Sequence, residues 1–430
     1  MRSKSATRGN IRTMVHKEKV INFRTEAKKT REFIVELLKS LVHAKTVNYN
    51  RRDYPDKGPD GMASPGEESK AVEVLIPVFE KLGVSYKVFE KIEGRGNLIA
   101  SLGQRKPGYR RLLVLCHTDV VPSGGAELWG HDPFSAFEKD GFLYGRGTAD
   151  NKGQLAAAVS AFCLLHQVQS QIQGEFMLGA VADEEVGIEQ AGIEVVDGEL
   201  DFASFVTDAI IPDTSGHCTE IERAEKGRVI IKVTVKGKQA HGSTPSEGAN
   251  AIYGFADFAL VVEKHVLNHS VHSVLGSPTV NLGIVKGGNA PNNVPALCEG
   301  TFDVRIVPGM TAEQVIDELQ ATARQVNRKD ISFAFEIVHK TEPTVVSEDA
   351  PIIKTILKHM PEARTVGIGG GTFCKHLISK GIDAVGWAPG GHEVVHQASE
   401  HISIQELVDF AGLLAETAFD LCNQKIEPHE

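Results

Sequence analysis

Between residues 97 and 208 the chain alternates nearly continuous apolar runs with helix-like stretches, a pattern that predicts a covered sheet. NLIASL (97–102), RLLVLCH (111–117), EFMLGAVA (175–182) and FASFVTD (202–208) read as strands, with NKGQLAAAVSAFCLLHQV (151–168) as a helix between two of them. Strands apolar on both faces and alternating with helices indicate an α/β fold, a mostly parallel sheet flanked by helices. Upstream, Ile34, Leu37, Leu38 and Leu41 recur at helical spacing and predict an amphipathic helix over 26–43. Ser64-Pro65-Gly66-Glu67 has the form of a capping box, which predicts a helix opening there and running to Leu82.

The texture changes after Lys226-Gly227. In RVIIKVTVKG, Ile231, Val233 and Val235 share one face and Lys232, Thr234 and Lys236 the other. A helix near 247–266, strands near 278–286 and 299–306, a helix opened by Thr311-Ala312-Glu313-Gln314 and a strand at 331–338 complete β-α-β-β-α-β, the ferredoxin-like order. The buried texture then resumes, with strands near 364–369 and 382–387. The predicted organisation is a flexible basic tail (1–24), an α/β catalytic domain (25–227 plus 341–430) and an inserted α+β domain (228–340).

Composition narrows the function. A formal charge of −10 over 430 residues argues against nucleic acid, which is held by Lys and Arg on phosphates. No apolar run approaches the ~18 residues of a membrane span. Six scattered cysteines without a CxxC pair read as reduced thiols of a cytoplasmic protein. Residues 1–17 carry five basic side chains and no acid, transit-like in charge alone, and read as a solvated tail or as residues ahead of a true start at Met14.

The chemistry gathers where predicted strands end, the edge at which open α/β sheets bind ligands. LLVLC runs into His117-Thr118-Asp119, a pattern in which the His binds a metal and the Asp orients its ring. GRGTADNKG places Asp150 in a glycine-rich turn at a helix N-terminus. VADEEVG sets Asp183, Glu184 and Glu185 side by side, with no Lys or Arg between Gly174 and Ala203. Asp208 and Asp213 flank the fourth strand, and His396 follows a glycine-rich loop. Mixed nitrogen and oxygen donors suit Zn²⁺, with Co²⁺ or Mn²⁺ as substitutes. More than four ligands suggests two metals about 3.5–4 Å apart. Metal charge would then neutralise the acidic triplet.

Two other patterns compete. His392-Glu393-Val394-Val395-His396 matches the HExxH helix of mononuclear zinc proteases, but Pro389-Gly390-Gly391 leaves no helix ahead of its first ligand. Histidines 265, 269 and 272 share one helical face and read as solvated. A non-catalytic zinc-binding relative on the same fold is the remaining alternative.

In CHTDVVP, GRGTADNKG, DEEVG, KGKQAHGSTP, NAPNNVP, DVRIVPG, GGGTFCKHL and HQASEH, in that order, the chain resembles the dinuclear zinc amidohydrolases over about 30–425. These include acetylornithine deacetylase, succinyl-diaminopimelate desuccinylase, glutamate carboxypeptidase, the aminoacylases and carnosinase-like dipeptidases. The resemblance implies one metal on His117 and a second on Glu185 and His396, with Asp150 bridging. The fifth ligand is Asp213 or Asp208, with Asp213 preferred. It implies Glu184 as general base for a water between the metals, Asp119 on the His117 ring and a cis peptide after Asp150. His241 of the inserted lid would reach the partner subunit's site in a homodimer. Asn292, Arg305 and the backbone of Gly371 and Thr372 would hold the substrate carboxylate, and Lys375 stands where the family often has Arg. The implied activity is hydrolysis of an amide bond in an N-acylated amino acid or small peptide with a free carboxylate.

Overall fold

A computed structural model describes residues 21–427 apart from 188, 214, 215, 265 and 266. The basic stretch 1–17 and His265 therefore lie outside the described residues. The first helix, Phe23–Ala27, begins inside the stretch assigned to the tail: Asn22 caps it and Phe23 is buried.

One large sheet runs, edge to edge, through Tyr86–Phe89, Asn97–Leu102, Glu175–Val181, Arg111–His117, Asp208–Ile211, Asp383–Gly386, Glu220–Glu225 and Thr344–Val345; Arg364–Ile368 also pairs with Glu220–Glu225. Its four central strands are parallel, from Glu175–Val181 across to Asp383–Gly386. Their outer neighbours are antiparallel, so the sheet is mixed. Alternation sends Leu112, Val114 and Cys116 into one apolar layer and Leu113 and Leu115 into the other. Helices Arg31–His43, Lys152–His166 and Ile404–Cys422 cover the first face, while the short helices Ile193–Leu200 and Cys374–Ser379 cover the second. Two-sided burial is the reason these strands read as continuous apolar runs.

The inserted segment forms a four-stranded antiparallel sheet of Thr279–Gly287, Leu297–Ile306, Gly227–Lys236 and Ser332–Thr341, in that spatial order. With helices Ala251–Lys264 and Ala312–Ala323 it has the ferredoxin-like arrangement, and Thr311 and Gln314 form the full reciprocal capping box.

Three local expectations fail. The helix expected at Ser64 starts at Ser69, without a side-chain cap, because Gly66 and Glu67 turn left-handed at φ 75° and 55°. The strand expected at 202–208 is a 3₁₀ turn, Phe202–Ser204, followed by a strand beginning at Asp208. Two of the three histidines of the supposed helical face lie beyond the helix, which ends at Lys264. His272 accepts from the backbone N–H groups of Val274 and Leu275 in a loop.

Candidate metal centre

The central strands end side by side and carry acids and imidazoles on one edge. His117 closes Arg111–His117, the acidic triplet follows Glu175–Val181, and Asp213 lies two residues after Asp208–Ile211. Asp150 comes from the glycine-rich turn before helix Lys152–His166. That turn packs so tightly that a Cβ at Gly153 would lie 2.2 Å from the Thr148 carbonyl oxygen. The Asp150–Asn151 peptide is cis. His396 arrives from the loop after Asp383–Gly386, in the left-handed region at φ 61°, a conformation that costs a non-glycine residue about 1 kcal/mol and recurs at functional sites.

Asp150 sits between the two histidines. Its Oδ1 is 2.9 Å from His117 Nε2 and its Oδ2 3.3 Å from His396 Nε2, which also lies 3.2 Å from Glu185 Oε2. His117, Asp150 and Glu185 offer atoms within 4.8 Å of one another, and so do His117, Glu184 and Asp213. On its other side His117 presents Nδ1 to Asp119, 3.1 Å from the carbonyl oxygen and 3.4 Å from the carboxylate. Asp119, fully buried, also accepts the backbone N–H groups of Glu184 and Glu185 at 3.1 Å and the Asn48 amide at 2.9 Å. One carboxylate therefore sets the ring and both glutamates.

The electrostatics are those of a cluster short of positive charge. Burial pushes the Glu184 carboxyl well above its ordinary range; His117 opposes this, and Asp213 and Glu185 add to it. Burial and then Asp150 push Asp213 up to about 8 and raise Glu185 as well. Burial works against the charged His117 ring, but Asp119 and Asp150 hold it well above its usual value. Hydrogen bonds to Asp150 and Glu185 raise His396 to about 10. Asp150 goes the other way: burial is outweighed by the two rings, which keep it below the carboxylate range. Glu185 Oε1 is buried with no hydrogen-bond partner among the described residues. Four carboxylates, two imidazoles and an orphaned oxygen fit divalent metal, which would take the place of the shared protons.

The rival acid is placed elsewhere. Asp208 opens its strand at the far end of the sheet and is bound through both oxygens by Arg110 Nη1, at 2.8 and 2.9 Å. HExxH is also settled: His392–Val394 is a single 3₁₀ turn, and His392 pairs with Glu222 at 3.3 Å.

Metal charge is not what neutralises the whole acidic triplet. Arg95, from a turn 88 residues upstream, pairs with Asp183 at 3.1 Å and bidentately with Glu68 at 2.6 and 2.8 Å, and reaches Glu189. Asn48 ties Asp183 to Asp119 at 3.0 and 2.9 Å. Nothing in the sequence around Arg95 marks this role. Glu400, buried, accepts the N–H groups of Gly147, Ala149 and Asp150 and pairs with Arg146. Its signal was present, since Glu400 stands in HQASEH.

Among the described residues no hydrogen bond or ion pair joins the groups assigned to substrate to this cluster. Arg305 uses three of its five N–H groups on Asp303 and the Gly369 carbonyl, which leaves two. The Thr372 N–H and hydroxyl donate to Glu225 at 3.1 and 2.7 Å, so they do not stand free, whereas Gly371 lies exposed beside them. Lys375 donates to the Lys226 and Glu342 carbonyls, on the two crossings into the inserted sheet. His241 is exposed, with Nδ1 2.7 Å from Ser243 Oγ, and Asn292 accepts the Gly242 N–H through its carbonyl. Among the described residues no hydrogen bond or ion pair joins His241 to the metal-site cluster of its own chain.

The model of Peptidase family M20/M25/M40 matches residues 113–420. The chain belongs to this family. It is a metal-dependent amidohydrolase. Within the family it is 31% identical to an uncharacterized metallohydrolase of Methanocaldococcus jannaschii, over 82% of this chain and 93% of that one. It is also 31% identical to the acetylornithine deacetylase of Myxococcus xanthus, over 76% and 84%. The fold matches the crystal structure of aminopeptidase PepT from Bacillus cereus with a TM-score of 0.69, covering 91% and 98% of the two chains at 21% identity. No helix among the described residues is long and apolar enough to cross a membrane.

Proposed function

We propose that the chain hydrolyses the amide bond of an N-acylated amino acid or small peptide with a free carboxylate, using two divalent metals, zinc by donor type. The observation that carries this reading is Asp150, whose two oxygens face two different histidines at 2.9 and 3.3 Å, as a bridging carboxylate would. His117 and Asp213 would hold one metal, and Glu185 and His396 the other. When bound, such a pair supplies Lewis-acid polarisation and acidifies water.

Glu184 is the base. Its carboxyl lies with His117 and Asp213 but, among the described residues, makes no ion pair of its own. As general base it would take a proton from water and return it to the departing amine. The two unused N–H groups of Arg305, with Asn292 and Gly371, would take the substrate carboxylate. His241, free of its own site, would serve the partner copy in a cytoplasmic homodimer.

The test is a substrate panel of N-acetyl and N-succinyl amino acids and free-acid dipeptides, with metal content measured on the same samples. Glu184→Gln is expected to lower kcat by about 10²–10⁴ while two metals per chain remain. Full activity in that variant, or one metal per chain in the active enzyme, would overturn the mechanism.

A further inference from the structure

At the opposite end of the sheet from the metal centre lies a cavity of about 350 Å³. Arg111 and Glu175, the first residues of the strands whose other ends carry the His117 and Glu184 clusters, form part of its wall. The two sites are separated by the length of a strand, on the order of 20 Å. Leu200, the last residue of the eight-residue helix Ile193–Leu200 on this face, also lines the cavity. Its floor is apolar, built from Met177 and Phe205. Such a volume is at the lower end of the range for small-ligand pockets.

The rim has the opposite character. Lys87, Arg105 and Arg111 line it, and Glu175 is the single acid among the lining residues. Glu175 is taken by Arg105, whose guanidinium lies 2.6 Å from its Oε1 and 2.7 Å from Ser101 Oγ. Among the described residues neither Lys87 nor the Arg111 side chain has an ion pair. Two unpaired cations over an apolar floor, on a chain with formal charge −10, are not explained by general surface charge. We propose that this cavity binds a small amphipathic carboxylate, with the apolar body on Met177 and Phe205 and the anion between Lys87 and Arg111. Charge complementarity selects the acid over its neutral analogue, and the site is independent of the hydrolytic reaction.

Met177 provides the readout, because the chain has only six methionines. With methyl-¹³C methionine in the full-length protein, and Met177 assigned through Met177→Leu, 4-phenylbutyrate is titrated. The Met177 resonance is expected to move saturably, and 4-phenylbutanol to bind at least tenfold more weakly. Lys87→Gln with Arg111→Gln is expected to raise the dissociation constant for the acid tenfold or more. A motionless Met177 resonance, equal binding of the alcohol, or undiminished binding by the double variant would each overturn the proposal.

Discussion

Single residues around the metal centre differ in what their loss would do. Arg95 is a buried cation serving Glu68 and Asp183, so Arg95→Met leaves two carboxylates without their partner. Breaking a buried pair in this way costs about 3–5 kcal/mol, and urea denaturation should show a loss of that size. Glu400 acts through the loop it holds. In Glu400→Gln one oxygen still accepts, but the charge that binds three backbone N–H groups and Arg146 is gone. Outer partners of metal sites are typically worth about 10–100-fold in metal affinity. A competition titration with a chelating dye should find a decrease in that range, and an unchanged affinity would show that Glu400 does not position Asp150.

At the scale of elements, Asp197 joins two helices on the thinner face of the sheet. It lies within the helix Ile193–Leu200, accepts the Phe202 N–H at 2.8 Å, and meets His376 Nε2 at 2.8 Å and Lys380 Nζ at 3.0 Å from around Cys374–Ser379. Burial works against its charge, but His376, the Phe202 N–H and Lys380 keep its carboxyl below the ordinary value of 3.8. The folded state therefore binds fewer protons than the unfolded state in the interval between the two pKa values. The stabilisation is present above 3.8 and lost as pH falls through the lower, folded value. Asp197→Asn should cost about 1 kcal/mol at neutral pH, discounted for partial exposure. It should also flatten the acid limb of a thermal-stability profile below pH 4; an acid limb identical to that of the wild type would remove Asp197 from the account. Elements were largely legible in the sequence where a pattern spanned many residues: strands 97–102 and 111–117 have the bounds the apolar runs predicted. The errors fell on short signals. Gly66 and Glu67 turn left-handed where a cap was expected, and Phe202–Ser204 closes a turn whose Phe202 packs into the apolar layer beneath the sheet, while Ala203 and Ser204 are exposed.

For the whole molecule, metal and subunit arrangement carry the expectations. Buried carboxylates without their cations oppose one another, so stripping metal with a chelator should lower the melting temperature, and re-adding Zn²⁺ should restore it. If His241 serves the partner's site, Glu184→Ala and His241→Ala chains are each inactive alone but complement one another in mixed dimers. Random re-association gives one complete site in half of the dimers, so activity should return to roughly a quarter of wild type. Mixtures that stay inactive after verified subunit exchange would place His241 outside the partner's chemistry.

The sequence by itself determined the plan of a sheet flanked by helices, the inserted ferredoxin-like unit and the set of candidate ligands. Each of these rests on periodicity or on residues next to one another at a strand end, and such information is local. The tertiary structure decided which acids belong together. Asp213 and Asp208 are five residues apart, yet the strand between them carries them to opposite ends of the sheet, one to the imidazoles and the other to Arg110. The acidic triplet draws its buried cation from Arg95, 88 residues away, and the Asp150 turn is held by Glu400, 250 residues away. Coulomb attraction and hydrogen bonds depend on distance in space, and sequence separation does not enter into either.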